Sequence, residues 1–276
     1  MTEYSGITAL VTGASKGIGT AYALELARRG ANLVLVARSA DALERLATRI
    51  REAHGVRVEV IAADLGDRTG PSHVAAELRA RDIDVDLLLN NAGLGSVGPF
   101  LDRPFEQQAL SVDVNISGLL GLTHLLGQEM RGRGRGGIIN VASSAAFQPM
   151  PYQAGYAATK AFVLSFSEAL AEELNGSGIR VMAAHPGPVA TGFFDGTTAT
   201  MDPRATDTPE AVAAETLDDF ARGKHASYPG RASNRWKTWG ARFLPRRRVV
   251  TITAGINRKA GFDRVSDAPP KPEVPA

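Results

Sequence analysis

Residues 7–19 read ITALVTGASKGIG, an apolar strand-like run followed at once by three glycines. A helical pattern starts in the same stretch, and its apolar face consists of Ile18, Ala21, Leu24 and Ala27. Glycines at such a junction allow positive φ and let backbone N–H groups approach a pyrophosphate, which also meets the positive end of the helix dipole. A glycine triplet alone indicates only a tight turn. Placed between a first strand and its helix, it predicts dinucleotide binding.

The alternation of strand and helix continues along the chain. Further strand-like runs lie at 32–38, 56–65, 84–93, 136–144 and 178–187, with a last short one near 225–230. Ser39 is a predicted N-cap and Gly55 a predicted end of the second helix. The pattern predicts an α/β fold of Rossmann type, a doubly wound and mostly parallel sheet with helices on both faces.

Composition limits the organisation and the chemistry. With 276 residues, 44% of them apolar, the chain is long enough for one large core. We expect residues 1–230 to form the nucleotide-binding and catalytic part, with a lid at about 191–208. Residues 231–264 would extend the same domain, and 265–276 would be a flexible proline-rich tail.

The absence of cysteine excludes disulfides, thiolate nucleophiles and cysteine-ligated metals. His185 has no second histidine at a ligand spacing, so no metal site is predicted. The first residues lack the pattern of a secretory signal, and a cytoplasmic location is the default expectation.

Charge is distributed unevenly. Residues 231–260 contain nine Lys or Arg and no acid; since the whole chain carries +2 and this segment +9, the remainder carries −7. An acidic body of this kind predicts no nucleic-acid partner, and the run RGRGRGG at 131–137 is interpreted as a solvated turn. The basic segment itself could touch an anionic surface.

Three motifs follow one another in order: Gly13-x3-Gly17-x-Gly19, NNAG at 90–93, and Tyr156-x3-Lys160. From about residue 7 to residue 230 the chain resembles the short-chain dehydrogenase/reductase family. The resemblance implies that Tyr156 is the general acid-base and that Lys160 binds the nicotinamide ribose and lowers the pKa of the phenol. The residues agree, since four-residue spacing puts both side chains on one helix face and a cation stabilises a phenolate.

The resemblance assigns two more catalytic residues. Ser143, thirteen residues before the tyrosine, would hydrogen-bond the substrate oxygen, and Asn115, within DVNISG, would hold a proton-relay water. Each of the four also has an ordinary structural interpretation: Tyr156 as a half-buried helix aromatic, Lys160 as a solvated cation, Ser143 as a strand cap and Asn115 as a helix polar group. Their joint order and spacing favour catalysis.

Cofactor choice depends on the end of the second strand. Ala37 stands where NAD-using relatives present an acid, and Arg38 follows it, while Lys16 lies in the glycine loop. These two cations predict NADP, with NADPH preferred over NADH; alternatively, both are merely exposed. The cofactor contacts implied by the resemblance are Gly13, Ser15, Lys16, Gly17, Ile18, Gly19, Arg38, Asp64, Leu65, Asn91, Ala92, Gly93, Tyr156, Lys160, Pro186, Gly187, Val189 and Thr191.

The expected partner is a small-molecule substrate, an apolar carbonyl compound or alcohol. Five large side chains with few charges near them are candidates for the pocket wall: Phe147, Met150, Tyr152, Phe193 and Phe194. Met201 belongs to the same predicted lid. The alternative is that these side chains simply pack the lid on the core.

Two apolar surfaces predict partners. Trp236, Trp239 and Phe243 form a helical stripe in the basic segment 235–248, as in helices at membrane interfaces, although packing on the enzyme's own body or on a second subunit is favoured. A second apolar face predicts a homodimer or homotetramer and consists of Phe162, Phe166, Ala169 and Leu170.

The sequence therefore predicts an NADPH-dependent reductase, or dehydrogenase in reverse, with Tyr156 as acid-base. Two alternatives stay open. One is a catalytically idle NADPH-binding sensor or scaffold, and the other is a peripheral membrane lipid-carbonyl reductase.

Overall fold

The apolar runs expected to be strands pair side by side in one parallel sheet. A computed structural model describes residues 4–195, 197–199 and 202–266. The strands are β1 (Thr8–Thr12), β2 (Asn32–Ala37), β3 (Val58–Ala62), β4 (Leu87–Asn90), β5 (Gly136–Val141), β6 (Ile179–Ala184) and β7 (Ala226–Ser227). Their order across the sheet is β3-β2-β1-β4-β5-β6-β7, all parallel. The chain thus winds outward from β1 in both directions, and the order reverses between β1 and β4.

Helices cover both faces of this sheet, as predicted. They are α1 (Gly17–Arg28), α2 (Ala40–His54), α3 (Gly70–Ala80), α4 (Phe105–Val112), α5 (Leu119–Arg133), α6 (Ala154–Glu173), α7 (Pro209–Ala221), α8 (Ala232–Phe243) and α9 (Arg246–Lys259). Alternate strand residues enter opposite cores: Val11 packs with α1 and α2, whereas Leu10 packs with α3 and α5. Two buried layers therefore hold the sheet edge rigidly in place.

Local signals set several helix ends, and those of α2 lie where the sequence predicts them. The Ser39 hydroxyl accepts a hydrogen bond from the Ala42 amide at 3.4 Å, and Gly55 ends α2 with φ 66°. Thr208 caps α7 in the same way, accepting from the Ala211 amide at 3.2 Å. Each cap satisfies a backbone group that the helix itself leaves unpaired.

A π-helical segment, Asp113–Gly118, joins α4 to α5. The continuous helix Phe105–Arg133 is long and apolar enough in composition to cross a membrane. In this structure its apolar residues pack in the core: Leu122, Leu126 and Met130 are at most 1% exposed and lie beneath the sheet. A buried core helix accounts for this composition.

The C-terminal segment folds back over the sheet edge as α8 and α9. Two hydrogen bonds tie α9 to the loop before α6: Thr253 donates to the Pro149 carbonyl at 2.9 Å, and Asn257 to the Pro151 carbonyl at 2.7 Å. Val265 is buried against Val97, so packed structure reaches Ser266. The rest of the expected tail, 267–276, lies outside the described residues.

The aromatic stripe of α8 does not pack on the enzyme's own body. Trp236, Trp239 and Phe243 are all exposed, which makes that part of the sequence-based interpretation wrong. The reason is the orientation of α8, because its opposite face carries buried Asn234 and Thr238. Packing on a second subunit and contact with a membrane interface both stay predictions.

Candidate active site

A cavity of about 1130 Å³ opens at the carboxyl edge of the sheet. It spans the point where the strand order reverses, the usual ligand crevice of an open parallel sheet. The glycine loop and the ends of β2 and β3 form one end of it. Residues following β4, β5 and β6 form the middle, and α8 and α9 form the far wall.

The glycine loop has the geometry of an anion site. Gly13 and Gly17 have φ values of 65° and 58°, which side chains rarely adopt. A Cβ on Gly19 would lie 2.1 Å from the Gly13 carbonyl oxygen, so α1 can start this close only with glycine there. The N-cap residue of α1, Lys16, forms no side-chain capping bond. The amides of the first turn therefore suit a phosphate.

Asn91 braces this loop against β4. Its side-chain amide donates to the Thr12 carbonyl at 2.9 Å, and the Thr12 hydroxyl accepts from the amides of Asn91 and Ala92, each at 2.9 Å. These bonds tie the ends of β1 and β4 together across the switch point. Asn91 lines the cavity while performing this structural task.

Three of the four expected catalytic residues meet at the cavity floor. Ser143 follows β5, and its side chain lies beside the phenol of Tyr156, near the start of α6. The Lys160 Nζ donates to the Val141 carbonyl at 2.8 Å and lies 5.9 Å from the centre of the Tyr156 ring. Strand end and helix thus hold serine, phenol and ammonium in one place.

Burial has the largest effect on the pKa values of Tyr156 and Lys160. It raises the pKa of Tyr156, while the hydrogen bond with Ser143 acts in the opposite direction and is smaller. Burial also lowers the pKa of Lys160 to about 8. Burial and Ser143 account for the shift of Tyr156, and the expected lowering of its pKa by Lys160 stays a prediction.

Asn115 lies behind the cavity wall rather than in it. Its Oδ1 accepts from the Leu94 amide at 2.8 Å, and its Nδ2 donates to the Leu94 carbonyl and the Thr159 hydroxyl, both at 2.9 Å. The π-helical turn re-aims this residue, as such bulges often do at functional sites. Thr159, beside Lys160 in the sequence, helps to hold the Asn115 side chain, a role that was not predicted from the sequence.

Gly93 separates Asn115 from Lys160. A Cβ at Gly93 would lie 3.3 Å from the Asn115 Oδ1 and 3.4 Å from the Lys160 Nζ. Both polar atoms thus face the same small space, and only glycine leaves that space open. Packing therefore explains why the last residue of NNAG is a glycine.

The loop after β6 lies over the cavity. A bridge joins Val189 to Asp207 through the Pro188 carbonyl and the Ala190 amide, both at 2.9 Å. The N–H and C=O of Val189 itself take no part in this bridge and point away from Asp207, toward the cavity that Val189 lines. Thr191 reaches the glycine loop, since a Cβ on Gly17 would lie 3.2 Å from its methyl group.

Most of the other expected cofactor contacts line the cavity. At its rim, Arg38 and Lys16 are both exposed, and the Asp64 carboxylate accepts from the Gly66 amide at 2.9 Å. The remaining lining residues of the expected set are Gly13, Ser15, Gly17, Ile18, Leu65, Ala92, Gly93, Pro186 and Gly187. Gly19 is the one expected cofactor contact that does not line it, because it packs beneath the loop.

The apolar wall differs in part from the one expected. Met150, Phe193 and Phe194 line the cavity, and the Phe193 ring centre lies 5.2 Å from that of Tyr156. Phe147 and Tyr152 do not, so their assignment was wrong. Met201 lies outside the described residues.

Competing contacts explain both errors. The Phe147 ring packs 4.9 Å from His185 and 5.9 Å from Tyr228. Tyr152 takes a φ of 69°, joins the cluster around Phe262 and accepts a hydrogen bond from Arg258 at 2.9 Å. No local pattern in the sequence reveals these long-range packing choices.

The C-terminal helices supply wall residues that the sequence did not indicate. The apolar ones are Leu244, Val249, Ile252, Ile256 and Phe262. Asn234 is also buried here and donates to the Asp207 carboxylate at 3.1 Å. A Cβ on Gly187 would lie 2.1 Å from the side-chain amide nitrogen of Asn234, so α8 fits tightly against the loop after β6.

Comparison with known proteins gives a consistent result. Residues 7–202 match the family model described as short chain dehydrogenase. Human 17-beta-hydroxysteroid dehydrogenase type 3 is 38% identical over 189 residues, which are 67% of this chain and 60% of that protein. The very-long-chain 3-oxoacyl-CoA reductase of Anas platyrhynchos is 32% identical over 260 residues, 92% of this chain and 81% of that one.

Solved structures agree on the fold and differ in their cofactor. A short-chain dehydrogenase from Sphingobium yanoikuyae in complex with NADPH has a TM-score of 0.75 and 34% identity, covering 86% of this chain and 93% of that one. A short-chain dehydrogenase/reductase from Burkholderia phymatum in complex with NAD has a TM-score of 0.74 and 27% identity, covering 83% and 90%.

Proposed function

Because the chain belongs to the short-chain dehydrogenase/reductase family, we propose that it interconverts an apolar carbonyl compound and its alcohol with NADP(H) as the hydride carrier. One observation carries this proposal: Ser143, Tyr156 and Lys160 lie together at the sheet's switch point, under an apolar wall. The family itself consists of oxidoreductases that act on hydroxyl and carbonyl groups of small molecules.

The cavity residues suit a nicotinamide dinucleotide. The glycine loop and the first turn of α1 would hold the pyrophosphate, and the Val189 peptide groups would meet the carboxamide. When bound, the nicotinamide supplies or accepts the hydride. The cavity of about 1130 Å³ exceeds the roughly 300–1000 Å³ of a single small-molecule site, so cofactor and substrate both have room.

Each residue of the floor has a distinct task. Tyr156 donates the proton to the carbonyl oxygen, and its raised pKa keeps the phenol protonated at neutral pH, as reduction requires. Ser143 orients and polarises that oxygen by donating a hydrogen bond from its own hydroxyl. Lys160 is held by the Val141 carbonyl, where it would bind the nicotinamide ribose.

Asn115 acts from behind the wall in this proposal. Its carbonyl oxygen and the Lys160 ammonium face the same space beside Gly93. After Tyr156 has given its proton to the substrate, a new proton would reach the phenol through the space beside Gly93 and then through Lys160. Asn115 therefore positions the route, and its bonds to Leu94 and Thr159 fix its orientation.

NADPH is the proposed partner in preference to NADH. Arg38 and Lys16 line the same end of the cavity, and β2 ends at Ala37 without a carboxylate to repel a phosphate. Arginine suits a phosphate particularly well because its planar donors can bind two oxygens. We propose that this pair holds the 2′-phosphate.

The substrate class follows from the wall and from the relatives. Met150, Phe193 and Phe194, together with the apolar residues of α8 and α9, favour a bulky apolar molecule. The names of two relatives, a hydroxysteroid dehydrogenase and a very-long-chain 3-oxoacyl-CoA reductase, describe such substrates. We propose a ketone or secondary alcohol carried on a steroid-sized or fatty-acyl skeleton.

A carbonyl panel tests this function. Purified protein would be incubated with NADPH or NADH and with steroid ketones, 3-oxoacyl thioesters, small aliphatic ketones and sugars, and consumption of the reduced cofactor followed by absorbance. Turnover of apolar ketones with NADPH is expected. Tight NADPH binding without turnover of any carbonyl would instead favour an idle sensor or scaffold, and turnover confined to sugars would contradict the substrate class.

A further inference from the structure

The exposed face of α8 is unusually apolar for a protein surface. Trp236 is 74% exposed, Trp239 47% and Phe243 80%. All three lie on one side of a helix whose opposite side contacts the catalytic body through Asn234 and Thr238. Large aromatic side chains grouped in this way mark an interaction surface.

The same surface continues to the mouth of the cavity. Ile252 and Ile256 of α9 and Leu244 before it are 51%, 60% and 44% exposed, and all three also line the cavity. Exposed apolar side chains therefore lie both on the outside of α8 and at the rim of the cavity.

Positive charge lies next to this apolar surface, at the start of α9. Arg246, Arg247 and Arg248 form the exposed first turn of α9 and have no ion-pair partner in 4–195, 197–199 or 202–266. Three cations at a helix N-terminus oppose the helix dipole, which favours negative charge there. Their position costs the helix stability, and an anionic surface would offset that cost.

We propose that α8 and α9 dock on an anionic lipid surface, with the cavity mouth facing the bilayer. Trp236, Trp239 and Phe243 would enter the interfacial region, and the arginines would contact lipid phosphates. The net charge of −7 on the rest of the chain would turn that part away from the membrane and so orient the protein. That an apolar substrate then enters from the lipid rests on the proposed function; the docking itself does not.

A second copy of the chain fits this surface less well. Two copies meeting through the same patch would set one +9 segment against another, since a two-fold contact pairs a surface with itself. Like charges facing each other in an interface are strongly unfavourable. An anionic lipid surface complements both the apolar and the charged parts.

Intrinsic fluorescence gives a direct readout of the docking. The chain contains two tryptophans, and both lie on this face. Vesicles of neutral lipid with about one third anionic phosphatidylglycerol should shift the emission to the blue and protect it from a water-soluble quencher. Neutral vesicles should do so much less. The protein should also float with the anionic vesicles at low salt and be released at high salt.

Two paired variants locate the surface. Trp236→Ser with Trp239→Ser should abolish flotation, whereas the control Phe100→Ser with Phe105→Ser, which changes two exposed aromatics elsewhere, should float normally. Arg247→Gln with Arg248→Gln should weaken binding by roughly fivefold for each charge removed. Circular dichroism would establish that all variants are folded.

Several outcomes would overturn the proposal. Failure of the unsubstituted protein to bind anionic vesicles at low salt is one, and equal flotation of the Trp236→Ser, Trp239→Ser variant is another. If light scattering shows a dimer that this variant converts to a monomer, and vesicles are not bound, a second copy covers the surface instead. The Tyr156→Phe protein should float unchanged, which separates docking from catalysis.

Discussion

Replacing Arg38 with alanine tests how the cavity selects its cofactor. Arg38 and Lys16 both line the end of the cavity beyond β2, and both are exposed. A hydrogen bond to a charged group contributes about 1.5–3 kcal/mol, and exposure favours the lower half of that range. Removal of Arg38 should therefore cost about 1.5–2 kcal/mol, which is a tenfold to thirtyfold rise in the Kd for NADPH.

NADH should be affected far less, because it lacks the 2′-phosphate that Arg38 is proposed to hold. Both cofactors would be titrated by their own fluorescence against the unsubstituted protein and the Arg38→Ala variant. Arg49→Ala is the matched control, since Arg49 is an exposed cation of α2 that does not line the cavity. Its Kd values should stay within about twofold of normal.

A reciprocal change adds a second arm. Ala37→Asp would place a carboxylate at the end of β2, where it would repel a phosphate and could accept from ribose hydroxyls. The preference should then move toward NADH. The reasoning fails if the unsubstituted protein binds both cofactors equally, or if Arg38→Ala weakens both by the same factor.

Three further predictions follow from the same geometry. Gly93→Ala places a methyl group 3.3 Å from the Asn115 Oδ1 and 3.4 Å from the Lys160 Nζ, so kcat should fall at least about tenfold with an almost unchanged melting temperature; equal kcat would contradict the proton route. Burial lowers the pKa of Lys160 to about 8, so between pH 8 and roughly 10.4 the unfolded chain binds more protons than the folded protein does. The melting temperature of the unsubstituted protein should therefore rise with pH over this range, relative to that of Lys160→Met. Parallel melting curves for the two proteins would show that the amine is not desolvated. Phe162 and Phe166 stack at 5.9 Å on α6, and light scattering at micromolar concentration should find a dimer or tetramer that Phe166→Glu disrupts; a monomeric unsubstituted protein would exclude that use of the face.

Features that depend on neighbours in the sequence could be predicted. The strand-to-glycine transition at 7–19 sets the first βαβ unit, and the hydroxyl cap at Ser39 sets a helix start, because each involves only a few consecutive residues. The spacing of Tyr156 and Lys160 likewise places both on one face of α6. Local chemistry was sufficient for these features.

Features that depend on distant packing could not be predicted. Phe147 turns to His185 and Tyr228 instead of the substrate wall, and α9 closes the cavity with residues about 100 positions away from the loop it contacts. The raised pKa of Tyr156 has the same origin, since desolvation sums over every element around the phenol. Helical spacing also could not show that Trp236 faces outward, because that depends on which side of α8 meets the body.

The central claim is that Tyr156 supplies the proton in a hydride-transfer reaction, and the most direct test is to measure turnover and NADPH affinity of Tyr156→Phe side by side. Phenylalanine keeps the ring beside Phe193 and removes only the hydroxyl. Turnover should fall by at least the ~10² that a positioned acid-base contributes, while the Kd for NADPH stays within about twofold. Retention of more than about a hundredth of normal turnover, with the same affinity, would contradict the account.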